Sequence, residues 1–142
     1  MPGITVGIDG SDHSRKALEW AVREAGVRHT SLTVLAVHQV ASNHWTGNPE
    51  SYPEDLPETE QVRQAAEDAV QKALSQVGEP APASVTVRAV SGVAAQELVK
   101  ASADADLLVV GSRGGGGFAR LALGSATNQV VSHAQSPVVV IH

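Results

Sequence analysis

Four small residues in the C-terminal part of the sequence have types and spacing suited to binding a phosphate group. They are Gly111, Gly114, Gly124 and Ser125, in the pattern Gly-x2-Gly-x9-Gly-Ser. The apolar run 107–110 predicts a buried strand that Gly111 ends, and a helical pattern opens at Gly124 and Ser125. Glycines let a ligand approach the backbone closely, and the free amides at the start of a helix attract anions. The stretch is not a P-loop, because the sequence contains no Gly-Lys-Ser/Thr.

The charges near this loop limit what it can hold unaided. The formal net charge is −5, and Arg113 and Arg120 are the cations closest to the glycines. ATP carries about four negative charges, so backbone amides and a divalent cation such as Mg²⁺ must supply most of the neutralisation. Because lysines and arginines are scattered, the sequence predicts no nucleic-acid binding.

Length and composition indicate a single domain over residues 1–142. Hydrophobic residues make up 42% of the chain and there are no cysteines, which excludes disulfides and thiolate chemistry. No stretch approaches the roughly 18 apolar residues of a membrane helix, and no basic segment precedes an apolar one at the N-terminus. We therefore expect a cytoplasmic protein that does not contact membranes.

Hydrophobic periodicity predicts alternating strands and helices. We predict strands at 4–8, 31–37, 84–90, 107–110 and 138–141, and helices that follow Ser11, span 60–77, begin at Ser91-Gly92 and begin at Ser125. Ser11 is a candidate N-cap of the first helix, and either Gly26 or 29–31 ends that helix. Ser125 is also a candidate N-cap of the last helix, which presents Val130, Val131 and Ala134 on its apolar face. The alternation of polar and apolar residues in the third strand suggests a sheet edge. This order predicts an α/β fold, a doubly wound three-layer sandwich with a five-stranded parallel sheet. A strand order of 3-2-1-4-5 brings Asp9, after the first strand, beside Gly111 in one cleft.

Two features of the sequence leave alternatives open. Residues 39–58 contain six breakers of regular structure and three rings, which fits either a surface excursion or a lid or partner contact. The six histidines lack the i, i+4 spacing of a zinc helix. His133 lies about 12 Å along a helix from Ser125, too far to act as a base there. His13 and His38 are the remaining candidates, and no catalytic or metal-binding residue is assigned.

The whole chain from Ile4 to Ile141 resembles the universal stress protein family. The resemblance rests on Ile-Asp-Gly-Ser at 8–11, on Asp-Leu-Leu-Val-Val-Gly-Ser-Arg-Gly at 106–114, on Leu-Gly-Ser at 123–125 and on Ser-Pro-Val-Val-Val at 136–140. The glycine spacing is similar to the motif of the ATP-binding branch of that family. The fold that this implies is Rossmann-like, of the adenine nucleotide alpha hydrolase type.

The resemblance also implies a ligand, a site and a partner. The ligand is ATP, or ADP or AMP, and the partner is a second subunit that pairs through Val138–Ile141. Asp9 would face the adenine end, and the backbone near Val37 would meet the base. Gly111, Arg113 and Gly114 would lie along ribose and phosphate, and the phosphates would be held by Gly124, Ser125, Ala126 and Thr127. The chain departs from the family at 114–117. These residues are all glycine, whereas in the family a basic residue often follows the second glycine of the motif.

Three functions are compatible with these residues. A nucleotide-dependent stress-response or signalling dimer needs only the binding site. A slow ATPase or nucleotidyl-transfer enzyme needs in addition a positioned base and a cation on the transferring phosphate, and no lysine stands near the loop. A purely structural dimer leaves the glycine spacing without a use. The sequence therefore favours binding over turnover.

Overall fold

The protein folds as a parallel sheet with helices on both faces. The structure, a computed structural model, describes residues 3–9, 12–39, 57–112 and 122–142. The strands are β1 (Ile4–Ile8), β2 (Ser31–Gln39), β3 (Ser84–Gly92), β4 (Leu107–Gly111) and β5 (Val138–Ile141). The helices are α1 (Asp12–Arg28), α2 (Pro57–Val77), α3 (Ala94–Ser102) and α4 (Ala122–His133).

The strand order is β3-β2-β1-β4-β5, and every pairing is parallel. The predicted order 3-2-1-4-5 is therefore confirmed, and β3 lies at a sheet edge as its alternating pattern suggests. β1 and β4 are neighbours although nearly a hundred residues separate them in sequence. The chain leaves these two strands toward opposite faces of the sheet, which makes this position the topological switch point.

Each face of the sheet is covered by one pair of helices. Ile4, Val6 and Val109 pack with buried residues of α1 and α2, such as Leu18 and Val70. The alternate strand residues face the other way: Leu108 and Val110 form a second cluster with Ala95 of α3 and Val130 of α4. The clusters follow from the two-residue period of strands, since successive side chains point to opposite faces. The result is the three-layer α/β sandwich that the sequence predicts.

Of the two candidate ends of α1, the later one is confirmed: the helix continues past Gly26 to Arg28, and His29 then adopts a positive φ of 54°. Other predictions of a boundary or of a facing were wrong. Ser91 and Gly92 do not start a helix but extend β3, because they pair with the two residues that lengthen β2, His38 and Gln39.

The remaining two corrections concern α4. It begins at Ala122, so Ser125 lies within the first turn and is not its N-cap. Val131, expected on the apolar face with Val130, is 51% exposed, whereas Val130 is 1% exposed. The predicted cap Ser11 lies outside the described residues. So does most of the 39–58 segment, namely 40–56, whose two readings remain open.

Candidate functional site

Strand register brings three predicted site residues to one edge of the sheet. Ile8 pairs with Ala36, so Asp9, the next residue, is level with Val37. Val6 pairs with Val109, and the same register places Gly111 level with Ile8. Neighbouring strands lie about 4.8 Å apart, so these three positions span adjacent strands at the carboxyl edge. Ligands of doubly wound sheets bind at this edge, next to the switch point.

Strand alternation decides on which face of the sheet the side chain of Val37 lies. Val34 belongs to the cluster under α1 and α2, and Ala36, two residues later, lies on the same face of β2. Val37 is the next residue, so its side chain projects to the opposite face, away from α1 and α2. Gly7, two residues before Asp9, lies directly beneath α3, because an added Cβ would come within 2.5 Å of Leu98 Cδ2. A glycine at this position lets α3 sit close to β1 beside the cleft.

Asp9 presents its carboxylate to solvent at the end of β1. Its side chain is exposed, and its backbone N–H donates a hydrogen bond to the hydroxyl of Ser14 over 3.3 Å. Ser14 is buried, so this contact fixes the first turn of α1 against the end of β1. Sequence reasoning missed Ser14. A signal was present, because a small hydroxyl residue in a helical first turn is suited to bind nearby backbone amides.

Ser112 is a second site residue that the sequence analysis did not single out. It follows Gly111, is 7% exposed, and its N–H donates to the Ile141 carbonyl over 2.8 Å. Continuing the register of β1 and β4 places Ser112 level with Asp9. The two-residue alternation of Leu108 and Val110 extends to position 112, and this pattern could have identified it.

The start of α4 narrows which backbone amides can bind an anion. The first four N–H groups of an α-helix have no partner within the helix. Because α4 begins at Ala122, these groups include the amide of Gly124, whereas the amide of Ser125 is the first donor of the regular i→i−4 pattern. The amides of Ala126 and Thr127 fall within the regular hydrogen-bonding pattern, so Thr127, which is half-buried, would act through its hydroxyl. Arg113 and Gly114 lie outside the described residues.

The groups at this edge are suited to hydrogen bonding. They comprise the carboxylate of the exposed Asp9, the backbone at the ends of β1, β2 and β4, and the first amides of α4. The hydroxyls at this edge belong to Ser14, Ser112 and Thr127. The described residues contain no group of three His, Asp or Glu side chains that could hold a metal ion. His133 is in the last turn of α4, at the opposite end from Ser125. Its position agrees with the sequence argument that excluded it as a base.

The fold and its switch-point cleft define an α/β protein of the Rossmann-like class. The chain belongs to the universal stress protein family, whose family model matches residues 2–142. It is 37% identical over 142 residues to Universal stress protein Rv2005c of Mycobacterium tuberculosis, an alignment that covers 99% of this chain and 48% of that protein. The chain therefore spans about half the length of the curated relatives it matches.

Solved structures of the family agree with the fold. Universal stress protein UspA from Lactobacillus plantarum superposes with a TM-score of 0.75 at 27% identity, covering 99% of this chain and 97% of that one. A universal stress protein solved in complex with cAMP gives a TM-score of 0.66 at 25% identity, with 99% and 96% covered. Among the described residues of our chain, no helix has the length and apolar character needed to cross a membrane.

Proposed function

We propose that this protein binds ATP or another adenine nucleotide, with Mg²⁺, and acts as a nucleotide-dependent stress-response or signalling dimer in the cytoplasm. The observation that carries the proposal is the convergence of Asp9, Val37 and Gly111 at the carboxyl edge of adjacent strands. These residues come from three separate parts of the sequence. A similar protein in complex with cAMP supports an adenine nucleotide as the ligand class.

The residues at the cleft fit the two ends of such a nucleotide. Asp9 offers a solvated carboxylate that accepts hydrogen bonds from an adenine amine or a ribose hydroxyl. Val37 offers half-buried apolar surface to a base. The amide of Gly124, in the first turn of α4, has no partner within the helix and is suited to an anion. Bound Mg²⁺ would offset phosphate charge beside this glycine-rich loop, which has no lysine.

Isothermal titration calorimetry with ATP and Mg²⁺, run beside a phosphate-release assay, tests the function. We expect binding heat without phosphate release above background. Gly124→Val should remove binding, because a branched side chain blocks backbone approach to the phosphates. Ser132→Val, an exposed position on the same helix, is the matched control and should bind normally. Absence of binding to ATP, ADP and AMP contradicts the proposal, whereas release abolished by Asp9→Ala indicates the enzyme alternative.

The dimer is proposed to form through the edge of β5 beside which no other described strand lies. Leu108 donates to the Pro137 carbonyl and Ser112 to that of Ile141, so the odd-numbered residues 137–141 face β4. The backbone N–H and C=O groups of Val138 and Val140 therefore point to the open edge. All four β5 residues are only half-buried. These groups are suited to pair with the same strand of a second subunit.

Sedimentation velocity of Val140→Pro tests this interface. Proline removes one outward N–H and leaves the bonds of β5 to β4 in place, so we expect a monomer with a native circular dichroism spectrum. Val140→Thr keeps the N–H and should remain dimeric. A Val140→Pro protein that sediments as a dimer would show that the subunits associate elsewhere.

A further inference from the structure

The opposite edge of the sheet carries a groove that the nucleotide site does not use. It lies between α2 and β3 and has a volume of about 420 Å³. Its floor is aliphatic, with Leu74, Val85 and Val87, and its rim is polar, with Glu67, Asp68 and Gln71. The groove is therefore apolar below and acidic above.

The backbone of β3 beside the groove has an open side. Ala83 donates its N–H to the Thr30 carbonyl, so the odd-numbered residues 83–91 face β2. The N–H and C=O groups of the alternate residues Ser84, Thr86 and Arg88 point outward, to the side of β3 on which the described residues form no neighbouring strand. β3 has nine residues, long enough to pair with a complete added strand.

Charge on the rim selects the kind of segment that fits. Arg63 donates to both Glu60 and Glu67, so one cation is shared between two carboxylates. Asp68 accepts from the neutral amide of Gln64 over 3.4 Å. The rim therefore keeps net negative charge toward solvent. The exposed Arg88 points to the other face of β3, since it alternates with Val85 and Val87, and does not neutralise the rim.

We propose that this edge is a docking site for a basic, extended peptide segment of a partner protein. The segment adds a strand to the outer side of β3, places aliphatic side chains in the groove at every second position, and sets lysine or arginine against Asp68 and Glu67. A second copy of this chain does not fit here, because it would bring two acidic rims together. The docking site is independent of the nucleotide cleft at the switch point.

Fluorescence anisotropy with a labelled, blocked peptide of sequence Val-Lys-Val-Lys-Val-Lys-Val tests the proposal. We expect saturable binding in the anisotropy titration. In NMR spectra of the protein, we expect the peptide to change the amide chemical shifts only at 84–88 and in the facing turns of α2. An alternating valine–glutamate peptide, and a valine–lysine peptide of the same composition without alternation, should bind at least about tenfold more weakly. Equal binding of the non-alternating peptide overturns strand addition.

Matched variants separate the groove from general attraction to an acidic protein. Gln71→Trp fills the groove and should weaken binding, whereas Gln76→Trp, exposed on the same helix outside the groove, should not. Asp68→Lys should weaken binding about tenfold, and Asp104→Lys, an exposed acid outside the groove, should change it little. Thr86→Pro removes an outward N–H and should abolish the shifts at 84–88. Binding unchanged by Gln71→Trp and Asp68→Lys, or shifts centred on β5, overturns the proposal.

Discussion

The two faces of the sheet differ in how fully they are covered. α1 and α2, with 17 and 21 residues, cover one face and pack an aliphatic cluster against β1, β2 and β4. α3 and α4, with 9 and 12 residues, cover the other. On that second face Ser84, Thr86 and Arg88 of β3 remain exposed. The comparison indicates that the face under α1 and α2 contains more of the apolar packing, whereas the other face leaves part of β3 exposed.

Leu18→Ala should give the largest loss of stability and tests the covered face. Leu18 is 1% exposed within the cluster between α1 and the sheet. We expect the free energy of unfolding to fall by about 2–5 kcal/mol, from lost burial and the cavity left behind. Urea denaturation measures this change. Val130→Ala, on the α3 and α4 face, removes two carbons and should cost about 1.5 kcal/mol; a larger loss there would reverse the comparison.

Ser102→Ala tests a pair of hydrogen bonds on the face of the sheet that the shorter helices α3 and α4 cover. The Ser102 hydroxyl donates to the Val99 carbonyl over 2.6 Å and accepts from the Gln135 N–H over 2.9 Å, which ties α3 to the segment before β5. Removing this hydroxyl leaves the N–H of Gln135 without that partner at a site where Ser102 is 1% exposed. We expect a loss of about 1–3 kcal/mol in urea denaturation. Ser136→Ala removes an exposed hydroxyl nearby and should change stability little.

Gly26→Ala and Gly7→Ala compare close packing on the two faces of the sheet. A Cβ at Gly26 would lie 2.0 Å from the Pro80 carbonyl oxygen, so backbone must shift. Overpacking should cost about 1–3 kcal/mol, offset by about 1 kcal/mol of gained helix propensity. At Gly7 the obstacle is the flexible end of Leu98, and Gly7→Ala should be less harmful. Thermal unfolding of both variants measures this, and a greater loss at Gly7 would contradict it.

The smallest expected effect is the pH dependence of the exposed ion pairs on α2. The hydrogen bond from Arg63 lowers the pKa of Glu60 below its ordinary value. The pair therefore stabilises the fold above the pKa of unfolded Glu, about 4.3, and this contribution is lost as pH falls through the lower folded value. Urea denaturation of wild type and Arg63→Gln should show a small difference at neutral pH that is lost as pH falls through the lowered pKa of Glu60. A difference that persists in acid would point to packing by the arginine stem.

Most of the fold was predictable because hydrophobic period is a local signal. The runs at 4–8 and 138–141 match β1 and β5 residue for residue. The alternation of Val85 and Val87 with Thr86 and Arg88 correctly indicated a sheet edge. The pairing of Asp9 with the glycine loop was inferred from an assumed strand order. The structure confirms that strand order.

The sequence by itself determined the element order, the parallel sheet and the glycine pattern, since each depends on residues close together in the chain. Only tertiary structure decided the points set by distant contacts. Gly26 lies inside α1 at a point where a side chain would collide with the Pro80 carbonyl, and Ser91 and Gly92 stay extended because β2 pairs with them. Val131 faces solvent while Val130 is buried, because the cluster of α3 and β4 lies on one side of α4. Strand register alone places Ser112 level with Asp9, since no local pattern records which residues meet across a sheet.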